Sequence, residues 1–432
     1  MPSPYLLPNF QHLSKEYDAV VQCNRCGFCE TVCPTYMITG SESASPRGRN
    51  QAFRQILEGK ITHANEAEKI FSSCLTCHAC TNVCYSEVPV GKLMGYARDI
   101  ATASNNKQKW IQNIIFRFFL KYRFIFSGFV WISFFLKRSK ISLLLKKIGF
   151  LKWVSPELDT AEDLISNAPL CFGAGPAKKN DASIYPKTAY FSGCGTHYIY
   201  PKTCSSFLNI AKKFSSEVKC PSHACCGLIP QSAGDIESAK ILAKKNITFF
   251  NAMGIEKILV NDDSCCGYMK NYPSLMNEEL TAVAFSNKVQ NISEFLEQQV
   301  PKNLIYNPAL AQNGKIRVTY HDSCQMGNGH HSITAPRKLL QSIQNVDWVE
   351  LDEANWCCGG AGTYSLKNPE LADEILERKL LNIKQSKAQI LITQASSCLM
   401  HIQYGVRKKG WEKEVQVMHL AEFLQNTNLL IL

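Results

Sequence analysis

Sixteen of the twenty cysteines in this 432-residue chain fall into two patterns whose spacing suits iron–sulfur ligation. The first is Cys23-x2-Cys26-x2-Cys29-x3-Cys33-Pro34, repeated as Cys74-x2-Cys77-x2-Cys80-x3-Cys84. Three evenly spaced thiolates wrap one corner of a cubane, and the last cysteine of each run binds the cluster of the other run. This predicts one 4Fe-4S cluster on Cys23, Cys26, Cys29 and Cys84, and a second on Cys74, Cys77, Cys80 and Cys33. A zinc site would need only two Cys-x2-Cys pairs, with no third thiolate in step. Gly27 would let the backbone approach the sulfide, and Pro34 would turn the chain away. His78, inside the second run, reads as a solvated loop histidine rather than a hydrogen-bond partner of a sulfur.

The second pattern is a Cys…Cys-Cys-Gly…Cys unit, also present twice. Adjacent cysteines are awkward for zinc or a disulfide and suit a cluster in which neighbouring sulfurs reach different irons. The predicted sets are Cys194, Cys225, Cys226 and Cys266 at the first site, and Cys324, Cys357, Cys358 and Cys398 at the second. The choice of Cys266 rests on a count: forty residues separate Cys226 from Cys266 and Cys358 from Cys398. That register sets Cys265 opposite Ser397 and leaves it as an extra candidate. Cys171, Cys204 and Cys220 have no counterpart in the repeat and read as ordinary thiols. His321-Asp322 reads as a hydrogen-bonded strand-end pair. His197, His223, His330, His331 and His401 lie near ligands without a motif that assigns them a role.

The elements that must position these cysteines repeat as well. Tyr190 precedes Cys194 by four residues, and Tyr320 precedes Cys324 by four. After each Cys-Cys-Gly come a helical stretch, 236–252 or 369–385, and a short apolar strand, 258–260 or 390–392. Strands alternating with helices imply parallel sheets, and ligands on loops at strand ends fit the usual place of sites in such sheets. The expected fold class is α+β overall: a helical ferredoxin-type domain with two clusters, then a duplicated α/β Cys-Cys-Gly domain. The expected boundaries are 1–100 for the ferredoxin-type domain, 101–155 for a basic aromatic helical segment and 156–187 for a linker. The two Cys-Cys-Gly domains are expected at 188–300 and 315–432.

The formal charge of +11 is local. Residues 101–156 contain eleven Lys and Arg and no acid, and the rest of the chain balances 36 basic against 36 acidic residues. The same segment is aromatic, but its longest apolar stretch, 124–136, has thirteen residues where a membrane span needs about 20. It is expected to lie on an anionic membrane face or a partner. The alternative packs it on the protein's own core with its lysines in water. No nucleic-acid motif accompanies the charge. The first 22 residues have three prolines and no apolar signal core, so a cytoplasmic location is expected. There thiols stay reduced, which favours metal ligation over disulfides.

Several stretches together carry a resemblance. They are Cys23-Asn24-Arg25-Cys26-Gly27-Phe28-Cys29 through Cys33-Pro34-Thr35-Tyr36, Ser45-Pro46-Arg47-Gly48-Arg49, Cys74-Leu75-Thr76-Cys77, Trp356-Cys357-Cys358-Gly359-Gly360-Ala361-Gly362-Thr363-Tyr364 and Met418-His419-Leu420-Ala421-Glu422. Over nearly its whole length the chain resembles the iron–sulfur subunit of bacterial glycolate oxidase and the iron–sulfur proteins of lactate utilisation. It is also similar to heterodisulfide reductase subunits, which carry non-cubane clusters on Cys-Cys-Gly domains. The resemblance implies an electron-transfer subunit of a flavin-dependent 2-hydroxy acid dehydrogenase. FAD would sit on a partner subunit, and electrons would pass toward the quinone pool at the cytoplasmic face of the inner membrane. It further implies one or two extra iron–sulfur clusters, cubane or non-cubane, at the Cys-Cys-Gly sites. Gly359-Gly360-Ala361-Gly362 follows a cysteine pair and lacks dinucleotide-binding spacing. Two other readings compete: a catalytic disulfide reductase, against which the single Cys398 argues, and an anaerobic glycerol-3-phosphate dehydrogenase subunit, against which Arg47-Gly48-Arg49 argues.

Overall fold

The computed structural model describes residues 6–62, 67–103, 116, 122–166, 168–169, 171–172, 187–214, 218–299, 304–306, 315–330 and 332–427. The N-terminal part is helical. Helix α1 (Pro46–Leu57) starts where Ser45 accepts a hydrogen bond from the Gly48 backbone N–H at 2.9 Å, with Pro46 in the first turn. Its Phe53, Ile56 and Leu57 pack with Leu93, Met94 and Ala97 of α2 (Val90–Ala103) and with Tyr17 and Val20. The cysteine runs are the loops around this core.

The basic segment follows as α3 (Arg123–Arg138) and the short helices Ile141–Lys147 and Phe150–Val154. Among the described residues no helix is long and apolar enough to cross a membrane. One face of α3 packs on the protein itself: Phe126 stacks edge-on to Tyr198 at 5.1 Å, and Ser127 hydrogen-bonds the Tyr198 hydroxyl. The other face leaves Phe124, Trp131, Ile132 and Phe135 exposed. The helix thus packs one side on the protein's own core and exposes aromatic and aliphatic side chains on the other. The expected linker differs at its start, where Pro156–Leu164 forms a helix. Pro156 opens it, and Lys137 and Lys146 ion-pair to its Glu162 and Asp163. Lys107, Lys109, Trp110, Ile114, Arg117, Phe118, Phe119 and Lys121 lie outside the described residues, as does His331.

Two four-stranded parallel sheets follow, in the same order. In the first, β1 (Thr188–Phe191) pairs with β2 (Val218–Lys219) and β3 (Lys257–Val260), and β3 pairs with β4 (Val289–Asn291). In the second, β5 (Ile316–Tyr320) pairs with β6 (Val346–Trp348) and β7 (Ile390–Thr393), and β7 pairs with β8 (Gln416–His419). Their inner strands are buried apolar runs, as parallel sheets covered on both faces require. The halves share one core, in which Tyr190, Phe207 and Leu259 meet Tyr320, Ile392 and Phe423. Five helices position the sites: α4 (Leu228–Ser232), α5 (Asp263–Lys270), α6 (Cys324–His330), α7 (Pro369–Ser386) and α8 (Ser396–Lys409).

Candidate iron–sulfur sites

The ferredoxin-type runs fold against each other. Burial pushes the Cys29 thiol up to about 11, with Cys23 and Cys26 adding to the rise against a hydrogen bond from the Arg47 backbone. The loop of Cys23 and Cys26 meets the turn after Cys84 through Asn24, whose amide donates to Ser86 at 2.9 Å. Burial likewise raises Cys80, and its next contributors are Cys74, Cys33 and Cys29. Cys33 therefore sits with the second run. Arg49 holds it there from a buried position. Its guanidinium donates to Thr35 Oγ1 at 2.9 Å, to Ser73 O at 3.1 Å and to Ile70 O at 3.0 Å, and lies 3.8 Å from Cys33 Sγ.

At the second Cys-Cys-Gly site the four predicted cysteines converge. Cys324 is the first residue of α6, Cys357 and Cys358 lie in the loop after β6, and Cys398 is in the first turn of α8. Cys324 is within hydrogen-bonding reach of Cys357, and Cys358 within reach of Cys398. Gly359 adopts φ +83°, and a Cβ there would lie 2.6 Å from Ala372 O, so only glycine lets the cysteine loop pass this close to α7. Gly227 does the same at φ +98° in the first half. A ring nitrogen of His321 lies within 4.8 Å of the Cys358 and Cys398 sulfurs. Neither ring nitrogen has a hydrogen-bond partner among the described residues. His321 thus faces the site, while Asp322 pairs with Arg337 at 2.8 Å. His401 fixes the loop through Nδ1 on Cys358 O at 2.7 Å. Lys379 is fully buried, donates to Ala354 O at 3.3 Å, and is lowered by burial to about 8.

The first Cys-Cys-Gly site departs from expectation. Cys194, Cys225 and Cys226 come together, but the fourth sulfur is that of Cys265 and not Cys266. Cys226 is within hydrogen-bonding reach of Cys225 and Cys265, and Cys225 of Cys194. Cys266 instead faces Lys270 and Glu294. Strand pairing gives the reason. Tyr190 pairs with Leu259 and Tyr320 pairs with Ile392. Six residues then lead to Cys265 in one half and six to Cys398 in the other. Both are the third residue of their helix, and a neighbour one position on is turned by about 100°. The forty-residue count failed because the loops after the two Cys-Cys-Gly units differ by one residue.

The sites are connected. Burial, and after it the neighbouring Cys357, raises the Cys77 thiol, so the second run abuts the second Cys-Cys-Gly site. Leu75, Cys77, Trp356 and Cys357 share one apolar cluster. Helix α6 clamps this junction, with the Asn328 amide donating to Cys77 O at 3.0 Å and Gln325 to Thr76 O at 3.4 Å. Arg98 ties the run to the first half, donating to Phe71 O at 3.0 Å and Ser232 O at 2.6 Å. The first Cys-Cys-Gly site lies under Phe126 of α3 and Tyr198. The roles of Arg98 and Lys379 were missed in the sequence, yet both sit on apolar stripes: Lys379 is four residues from Ile375 and from Ile383.

The donor chemistry fits iron–sulfur clusters. Four thiols converge at each Cys-Cys-Gly site, and buried Arg49, Lys379 and His321 supply cations or N–H groups beside them. Fold and sites together define an iron–sulfur protein in which a two-cluster ferredoxin-type domain precedes two cysteine-rich domains. Comparison agrees: residues 19–88 match the 4Fe-4S dicluster domain, and residues 188–298 and 318–403 match the cysteine-rich domain family. The chain is 29% identical over 417 residues to the probable glycolate oxidase iron-sulfur subunit of Bacillus subtilis, covering 94% of this chain and 93% of the relative. It is 32% identical over 243 residues to lactate utilization protein A of Oceanobacillus iheyensis, covering 55% of this chain and 96% of the relative. The glycolate oxidase iron-sulfur subunit of Escherichia coli is 24% identical over 401 residues, covering 90% and 91%. The chain belongs to the family of glycolate oxidase iron-sulfur subunits and lactate utilization protein A.

Proposed function

We propose that this chain is the electron-transfer subunit of a flavin-dependent 2-hydroxy acid dehydrogenase acting on glycolate or lactate. The FAD would belong to a partner subunit, and the acceptor would be of the quinone pool. The carrying observation is the contact of Cys77 with Cys357, which joins the ferredoxin-type ligands to a Cys-Cys-Gly ligand set in one apolar setting. The proposed ligand sets are Cys23, Cys26, Cys29 and Cys84; Cys74, Cys77, Cys80 and Cys33; Cys324, Cys357, Cys358 and Cys398; and, as revised, Cys194, Cys225, Cys226 and Cys265. When bound, the clusters supply one-electron carriers. At one end Cys26 is exposed beside exposed Phe28 and Tyr85, which suits docking of the flavoprotein. At the other end the first Cys-Cys-Gly site lies beneath α3, whose outer aromatic face supports contact with the cytoplasmic surface of the inner membrane.

The test is anaerobic affinity purification from the native cell, followed by addition of glycolate or either lactate enantiomer. A co-purifying flavoprotein, and bleaching of the iron–sulfur absorbance by one of these acids, is the expected result. A brown chain that comes alone, ignores all three acids and is reoxidised by a disulfide would overturn the proposal.

A further inference from the structure

A cavity of about 390 Å³ lies where three parts of the molecule meet. The second cysteine run and α2 contribute Thr76, His78, Lys92 and Tyr96; α4 and α5 contribute Gln231 and Tyr268; α6 contributes Asn328. The volume is within the range of small-molecule sites. Its lining contains a lysine, a histidine, several amides and two tyrosines, and no carboxylate. Such a wall offers N–H and O–H donors around an aromatic body, and so favours a planar ligand carrying oxygen acceptors.

His78 makes this cavity more than a packing gap. Aligning the two runs cysteine by cysteine sets His78 opposite Gly27. Both residues have left-handed backbone, at φ +60° and φ +87°. Glycine takes that conformation freely, whereas a β-substituted residue is strained there. The second run therefore keeps a side chain where its sister run uses the unstrained residue. The imidazole is half-buried rather than a free loop side chain. It is wedged over Gly91, where a Cβ would come within 2.7 Å of Nδ1. Thr76 of the same run is also left-handed, but it matches Arg25, whereas His78 replaces a glycine with a ring that lines the cavity beside Cys77, which points to a ligand.

We propose that this cavity binds a quinone-class ring, with the His78 imidazole and the Lys92 ammonium as donors to its oxygen atoms. The choice of a quinone among carbonyl-bearing rings rests on the electron-transfer reading above. Helix α4 relates the cavity to the aromatic segment. Leu228, Gln231 and Ser232 face the cavity, while Ile229 and the adjoining Ala233 pack with Phe116 and Phe126. A single short helix thus separates the cavity from the segment with the exposed aromatic face.

The test uses the full-length, cluster-loaded protein under anaerobic conditions and a non-reducible quinone mimic, a water-soluble hydroxyquinoline N-oxide, followed by titration calorimetry. The wild type should bind one equivalent. His78→Gly should weaken binding at least tenfold with iron content unchanged and the thermal midpoint held or raised, because glycine relieves the φ strain. A histidine kept only for structure would instead lower the midpoint and leave binding intact. Gly95→Leu fills the cavity from α2, where a Cβ has no neighbour nearer than 3.6 Å, and should also abolish binding. No one-to-one binding by the wild type, or unchanged binding in both variants, overturns the proposal. The titration contains no hydroxy acid, so the two readings fail separately. Bleaching by a hydroxy acid without mimic binding removes only the site. Mimic binding without bleaching removes only the dehydrogenase reading.

Discussion

At the scale of single residues, the pair Cys265-Cys266 is the sharpest test of the site geometry. Cys265 shares the pocket with Cys194, Cys225 and Cys226, and its neighbour points across α5 toward Lys270 and Glu294. Cys265→Ser should therefore remove the iron of the first Cys-Cys-Gly site and leave the other sites loaded. Cys266→Ser, buried but away from the sulfurs, should keep full iron content. Iron per chain and the electron paramagnetic resonance spectrum of the reduced protein read both variants; equal iron loss in the two would refute the assignment. The sequence came within one position of this answer. Ligands within a run are legible because their spacing is local and the same in every copy. The fourth ligand depends on where a strand ends and a helix begins, and pairing of β3 to β1 decides that rather than chain length. His321 was legible as a position but not as a neighbour of Cys358 and Cys398, since that proximity is made by the end of β5, the loop after β6 and the start of α8 from distant parts of the chain.

Among elements, Asp262 joins the two halves at the starts of α5 and α8. Its Oδ1 accepts from the Ser264 N–H at 2.9 Å and caps its own helix, while its Oδ2 accepts from the Ser396 N–H at 3.1 Å and caps α8, which has no cap of its own at Ala395. A carboxylate at a helix N-terminus satisfies an orphan N–H and meets the positive end of the helix dipole. Asp262 does this for both cysteine-bearing helices at once, and Ser264 and Ser397 meet 3.5 Å apart beside it. Asp262→Ala should then lower stability by about 2 kcal/mol, two caps of about 1 kcal/mol each. Asp235 caps only the helix Ile236–Ala252, through the Ser238 N–H at 2.8 Å, so Asp235→Ala should lose about half as much. Urea midpoints of the two variants, measured under one loading state, check the ratio. The repeated helices and strands were legible from apolar periodicity; a carboxylate shared across the repeat was not, because no spacing in one chain segment encodes a partner about 130 residues away.

For the whole molecule, the unusual feature is where charge and exposed aromatics coincide. Lys137 and Lys146 are neutralised by Glu162 and Asp163, so part of the basic excess is structural. Arg138, Lys140, Lys147 and Lys152 remain exposed and pair with no acid among the described residues. They lie among exposed Trp131, Phe135, Leu144, Ile148 and Trp153, the last with 81% of its surface in solvent. Ordinary surface lysines need no such company; a layer of aromatic rings and cations suits the headgroup region of an anionic bilayer. Each basic group near such a surface contributes about 1 kcal/mol. Reversing Lys140, Lys147 and Lys152 to Glu should thus weaken binding to vesicles containing phosphatidylserine by at least about 100-fold, since about 1.4 kcal/mol is a factor of ten. Raising salt to about 0.5 M should mimic much of that loss by screening, whereas Trp131→Ser with Trp153→Ser should weaken binding equally at low and high salt. Flotation of the loaded protein with phosphatidylserine and with pure phosphatidylcholine vesicles separates the terms. Equal binding to both vesicle types, or no effect of the three reversals, would mean that the basic groups face a protein surface instead, and the proposed flavoprotein would be the first to test against the same variants.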